Sequence, residues 1–153
     1  MTTFYFCVML KINNVFDILH SVLDEVESYL PKDVVSTLFD VVHDANRWQS
    51  YKVNWHVTVY YGNKLPQDNL KEFIHNNMRK NFRFAIEAIG YNTETMAFKV
   101  RPLDEKFMTM NEIPHITIGS FAGSPPAGSN RIKKWYAINN PSHIVEGTLI
   151  RIH

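Results

Sequence analysis

The chain has 153 residues, 45% hydrophobic and 13% aromatic, with 16 Lys and Arg against 15 Asp and Glu for a formal charge of +1. That length suits one domain, residues 1–153, with a real core. The near-balance of charge excludes the strong basic excess of a protein that grips long nucleic acid. A single cysteine, Cys7, excludes an internal disulfide and suits a reducing compartment.

The apolar run Phe4-Tyr5-Phe6-Cys7-Val8-Met9-Leu10 predicts a buried strand over residues 3–10. It has no basic residues before it and is too short to span a bilayer. Cys7 reads there as a small buried hydrophobe. A helix follows, capped by Asn13 or Asn14, with Val15, Ile18, Leu19, Val22, Leu23, Val26 and Leu30 at helical spacing and Pro31 as its stop. A second helical pattern runs from Asp33 to about Asn46. Arg47-Trp48-Gln49-Ser50-Tyr51-Lys52 reads as an aromatic and basic loop. Pro66 opens a helix reaching about Lys80. Period-two stretches over 81–91 and 94–101, with Asn92-Thr93 between them, predict a hairpin. Leu103 to Met110 is a short helix or loop, and 122–128 a Pro/Gly/Ser loop. Ser129 caps a predicted helix over 130–137, and Ile144 to Ile152 is a final strand. No stretch is long and apolar enough for a transmembrane helix, so a soluble cytoplasmic monomer is expected.

Two stretches stand out: Trp55-His56-Val57-Thr58-Val59-Tyr60 and Pro114-His115-Ile116-Thr117-Ile118-Gly119. Both read His-x-Thr-x with apolar residues at x. Alternate side chains of a strand point to opposite faces, so His56 and Thr58 share one face, and His115 and Thr117 share another. With seven His and nine Thr in the chain, a given His should precede this pattern about one time in a hundred. Two occurrences among seven have odds of roughly one in three hundred. A single copy would be a satisfied polar pair on a half-buried strand; two copies ask for a shared purpose.

Imidazole is the side chain whose ordinary pKa permits acid and base work near neutrality. Two imidazoles across a phosphodiester could divide the task, one taking a proton and the other giving one. The threonine hydroxyls could donate to non-bridging phosphate oxygens as charge builds there. The sequence has no His-Glu-x-x-His, no cysteine pair and no Gly-rich phosphate loop, so no metal site and no cofactor are expected. The remaining histidines read as structural or surface residues. Among the aromatics flanking the motifs, Trp48, Tyr51, Trp55, Tyr60, Tyr61 and Phe121, Tyr60 continues the His56–Thr58 face, and Trp55 and Phe121 are further candidates for stacking a base. Arg47, Lys52 and Arg131 are candidate phosphate holders that read more readily as solvated charges.

The paired motifs resemble the signature of the 2H phosphoesterase superfamily, also called LigT-like, and the resemblance covers most of the chain. It implies a bilobal α+β fold with two antiparallel sheets, flanking helices and a central cleft. It also implies a metal-independent phosphodiesterase, with His56 and His115 as the acid/base pair and Thr58 and Thr117 on the phosphate. The segment from Pro114 through Ser129-Asn130 is similar to the myelin cyclic-nucleotide phosphodiesterase and tRNA-ligase branch. A short chain of low net charge is more like the members that destroy 2′-linked messengers. The expected substrate is therefore a small nucleotide or short oligonucleotide, 2′,5′-oligoadenylate or a cyclic dinucleotide such as 2′,3′-cGAMP, with evasion of innate immune signalling as the setting. The alternatives are a 2′,3′-cyclic phosphodiesterase of RNA ends and a non-catalytic nucleotide- or RNA-binding module.

Overall fold

The computed structural model describes residues 3–43, 48–50, 55–121, 124, 126–139 and 143–153. In chain order the elements are β1 (Phe4–Leu10), α1 (Ile12–Val26), α2 (Lys32–His43), β2 (Trp48–Ser50), β3 (His56–Gly62), α3 (Asp68–Asn77), β4 (Asn81–Tyr91), β5 (Thr95–Pro102), β6 (His115–Phe121), a 3-10 turn (Pro126–Arg131), β7 (Trp135–Ala137) and β8 (Ile144–Ile152). Arg47, Tyr51 and Lys52 of the expected loop, and the end of the second predicted helix, lie outside the described residues.

All strand pairings are antiparallel, and they close on themselves. The order is β3–β1–β8–β4–β5–β6, with β6 returning to pair β3. The expected arrangement of two sheets in two lobes is therefore corrected to one closed six-stranded antiparallel barrel. Its two three-stranded halves are joined at both seams. One seam is long, Asn81↔Thr148 to Ala85↔Ile144 between β4 and β8; the other is the single pair Val57↔Ile116 between β3 and β6. Such seams pair residues far apart in the chain, and local patterning carries no information about them. The short β2 extends the β6 edge and β7 lies along β4.

Alternation along the strands sorts core from site. Phe6, Val8 and Leu10 of β1, Val57 and Val59 of β3, Ile116 and Ile118 of β6, and Val145 and Leu149 of β8 are all buried in one cluster. Ile18, Leu19, Val22 and Val26 of α1 and Leu38 of α2 join the same cluster, the apolar stripe that their 3.6-residue spacing requires. Cys7 is buried, and that burial pushes its thiol up to about 12, which removes it from thiolate chemistry.

Local differences from the sequence reading have simple causes. The first helix begins at Ile12 with Lys11 at the N-cap and no side-chain cap bond, so Asn13 and Asn14 fall inside it. The predicted helix over 130–137 is instead the end of the 3-10 turn followed by β7, because β4 offers a free edge that Trp135–Ala137 takes up. The hairpin forms as β4 and β5, with Asn92 Oδ1 accepting from the amides of Glu94 and Thr95 at 2.8 Å each. Among the described residues no helix is long and apolar enough to cross a membrane.

Candidate active site

Both His-x-Thr motifs open a seven-residue strand, β3 at His56 and β6 at His115. Each strand also bulges at the residue after its threonine. In the β1–β3 ladder Phe6 pairs Tyr60 while Cys7 pairs Thr58, which leaves Val59 as the extra residue. In the β5–β6 ladder Met96 pairs Gly119 while Ala97 pairs Thr117, which leaves Ile118 extra. Val59 and Ile118 occupy the same place in the two motifs, so the repetition visible in sequence is also a repetition of backbone geometry. A bulge redirects the side chains beyond it and is over-represented beside active sites.

His56 and Thr58 of β3 and His115 and Thr117 of β6 line one cavity of about 820 Å³. That size falls within the ~300–1,000 Å³ of small-molecule sites. Tyr5 and Met9 of β1, Tyr61, and Ile150 and Ile152 of β8 form its remaining strand wall. Met110 and Asn111 close one side and Ala127 and Asn130 of the 3-10 turn another. The loop carrying Met110 is tied to β3: its amide donates to the Val59 carbonyl at 2.8 Å, and Thr109 Oγ1 donates to the Thr58 carbonyl at 2.6 Å.

Each motif has its own hydroxyl partner. The Tyr5 hydroxyl lies 2.6 Å from His56 Nε2 and 3.2 Å from Thr58 Oγ1, with its ring edge-on to the imidazole at 5.7 Å. Burial, the largest influence, raises the Tyr5 pKa, so this group is a phenol across the neutral range. On the second motif, Ser129 Oγ lies 2.7 Å from Thr117 Oγ1. His115 Nδ1 lies 2.8 Å from the Ile113 carbonyl. A carbonyl only accepts, so Nδ1 carries the proton and the neutral ring keeps its lone pair on Nε2. Burial lowers the His115 pKa below its ordinary 6.5; the Ile113 bond works against the shift and the nearby His56 adds to it. His115 is thereby held as a neutral imidazole with one basic nitrogen, and His56 lies close enough to be felt electrostatically.

The three aromatic candidates fall elsewhere. Trp55 is 1% exposed, packs in the core and donates from Nε1 to the Ile118 carbonyl at 3.3 Å. Strand alternation explains it: if His56 faces the cavity, Trp55 faces the core. Tyr60 packs against the core and donates to the Lys64 carbonyl at 2.7 Å. The bulge at Val59 reverses the alternation, so Tyr61, which pairs with Tyr5, takes the place expected for Tyr60. Phe121 lies beyond the matching bulge and is not a cavity residue. Arg131 is engaged with Glu94, at 3.1 Å and 2.7 Å from its two carboxylate oxygens. Sequence reading gave Tyr5 and Ser129 no part in the site and preferred Tyr60 to Tyr61; the period-two pattern of β1 could have flagged Tyr5, but the bulges and the 3-10 turn have no sequence signal. Among the described residues no group of three His, Cys, Asp or Glu side chains is placed to hold a metal ion.

The chain covers 97% of its own length in a match to a solved structure titled "Crystal Structure of Fungal RNA Kinase", of which it spans 45%, at 13% identity and a TM-score of 0.62. At that identity the likeness concerns the fold alone. No curated protein matches the sequence. The family described as "Fungal tRNA ligase phosphodiesterase domain" matches residues 1–149. Two His-x-Thr strands meeting in one cavity, together with a match over nearly the whole sequence, place the chain in the fungal tRNA ligase phosphodiesterase-domain family, a 2H phosphoesterase family, and make it a phosphodiesterase.

Proposed function

We propose that the cavity opens the 2′,3′-cyclic phosphate of a ribonucleotide or an RNA end by water, with His115 as the base and His56 as the acid. The observation that carries this reading is the convergence of both imidazole–hydroxyl pairs on one cavity, with His115 held neutral and its Nε2 free to accept. His115 Nε2 takes a proton from the attacking water as its oxygen bonds to phosphorus. The phosphorus–oxygen bond to the departing ribose oxygen breaks, and His56 gives that oxygen a proton. The product is a phosphomonoester beside a free ribose hydroxyl, and the two imidazoles have exchanged charge states. Thr58 and Thr117 donate to the non-bridging oxygens, whose charge peaks in the transition state. Tyr5 fixes the orientation of the His56 ring, its oxygen accepting from Nε2 of an imidazolium and its hydrogen serving Nε2 of an imidazole. Tyr61, 55% exposed at the rim, offers an aromatic face to the base, worth about 1–3 kcal/mol when stacked.

Membership of a tRNA ligase phosphodiesterase family supports RNA-end chemistry over the 2′-linked messengers expected from chain length and charge. The test is a side-by-side panel of nucleoside 2′,3′-cyclic phosphates, a short RNA ending in one, 2′,5′-oligoadenylate, 2′,3′-cGAMP and its 3′,3′ isomer. The cyclic phosphates should show the highest kcat/KM. Preference for the oligoadenylate or a dinucleotide would overturn the substrate assignment, and tight binding of all without turnover would favour a binding module.

A further inference from the structure

Behind Thr117 lies a hydroxyl that the mechanism above leaves unused. Ser129, 2% exposed, sits 2.7 Å from Thr117 Oγ1 and donates to Thr95 Oγ1 at 3.1 Å; Thr95 is fully buried. A serine hydroxyl has one hydrogen. While Ser129 gives it to Thr95, the short contact with Thr117 is a hydrogen bond only if Thr117 donates. Thr117 then shows the cavity lone pairs, which repel a phosphate oxygen. If Ser129 instead turns its hydrogen to Thr117, the Thr117 hydrogen is free to point at the phosphate.

We propose that Ser129 is a positioning residue that switches the direction of the Thr117 hydroxyl, from resting donor to Ser129 into donor to the substrate. This rests on the reading of Thr117 as a phosphate donor. The setting is built for a fixed pivot. The 3-10 turn that carries Ser129 is fastened to the β4–β5 hairpin tip by Asn92 Nδ2, which donates to the Gly128 carbonyl at 2.9 Å, and by the Arg131–Glu94 pair. Ser129 therefore chooses between two acceptors by rotating its hydroxyl alone. Hydroxyls in series also polarise one another, so a Thr117 that accepts from Ser129 is the stronger donor to an anion.

The two neighbours then act differently. Ser129→Ala takes away both the resting acceptor of the Thr117 hydrogen and the donor that polarises Thr117, so its kcat/KM should stay within about five-fold of wild type. Thr95→Val keeps the shape but removes the competing acceptor, and should raise kcat/KM by about five-fold, the worth of one neutral hydrogen bond. In the double variant Ser129→Ala/Thr95→Val the rise should vanish, because Thr95 acts only through Ser129. Ser129→Ala/Thr117→Ala should be no slower than Thr117→Ala alone. A purely structural hydroxyl cluster would instead slow both single variants in step with lost thermal stability. A Thr95→Val enzyme at or below wild-type rate would overturn the switch, as would additive losses in Ser129→Ala/Thr117→Ala. Should Ser129→Ala fail to fold, Thr95→Val decides the matter by itself. If Thr117→Ala retains the wild-type rate, the failure belongs to the assignment of Thr117.

Discussion

Tyr5→Phe isolates one atom of the proposed site. The ring that packs edge-on against His56 at 5.7 Å and against Tyr61 at 5.2 Å remains, and only the hydroxyl with its contacts at 2.6 Å and 3.2 Å is lost. A neutral hydrogen bond contributes about 1 kcal/mol net and one to a charged partner about 1.5–3 kcal/mol. The contact to His56 is of the second kind whenever that ring is an imidazolium, as the proposed acid must be. Because that bond is strongest before His56 gives up its proton, only part of the energy reaches the transition state, and its loss should lower kcat by roughly five- to ten-fold. KM should move little, because the substrate's main anchors remain. The assay is steady-state hydrolysis of a nucleoside 2′,3′-cyclic phosphate, paired with a thermal melt to show that folding is intact. A kcat within two-fold of wild type would refute the idea that Tyr5 orients His56.

The lowered pKa of His115 has two consequences of known sign. The base must be neutral, so kcat/KM should fall with acid through a limb lying below pH 6.5, and a limb at or above 6.5 would count against His115 as base. The unfolded chain takes up this proton at about 6.5 and the folded one only at lower pH. Unfolding is therefore favoured as pH drops below 6.5, and His115→Asn should flatten that part of a stability-against-pH curve. Away from the chemistry, Gly147→Ala tests the barrel. A Cβ there would strike the Met9 carbonyl, with the carbonyl carbon 2.7 Å and Leu10 Cα 2.9 Å away, all of it backbone in β1. An overpacked core site costs up to about 3 kcal/mol, or roughly 6–12 °C in Tm at this chain length. An unchanged melt would mean that β1 and β8 pair less closely than described.

The chemistry of the chain was legible to the extent that it follows strand alternation within a motif. His56 with Thr58, and His115 with Thr117, needed only a period of two, and so did the burial of Val57 and Ile116. Applied one residue earlier, the same rule would have put Trp55 in the core, where it lies. What escaped was whatever depends on counting across a ladder. A bulge is one unpaired residue, visible only against the partner strand, and each of the two reverses every assignment beyond it. Tyr60 was put on the cavity face for that reason, while its neighbour Tyr61 is the one that reaches the cavity. The closure of the barrel escaped on the same grounds, since one of its seams is the single pair Val57↔Ile116. Ser129, read as a helix cap, is buried behind Thr117 because the 3-10 turn docks on a hairpin tip more than thirty residues earlier in the chain.

The central claim, that two imidazoles facing one cavity suffice for turnover, is tested most directly by hydrolysis of a nucleoside 2′,3′-cyclic phosphate in excess chelator by wild type, His56→Ala and His115→Ala. The account predicts a wild-type rate untouched by chelator and loss of nearly all activity in each variant, with both variants folded. Activity abolished by chelator and restored by zinc, or either variant turning over at the wild-type rate, would contradict it.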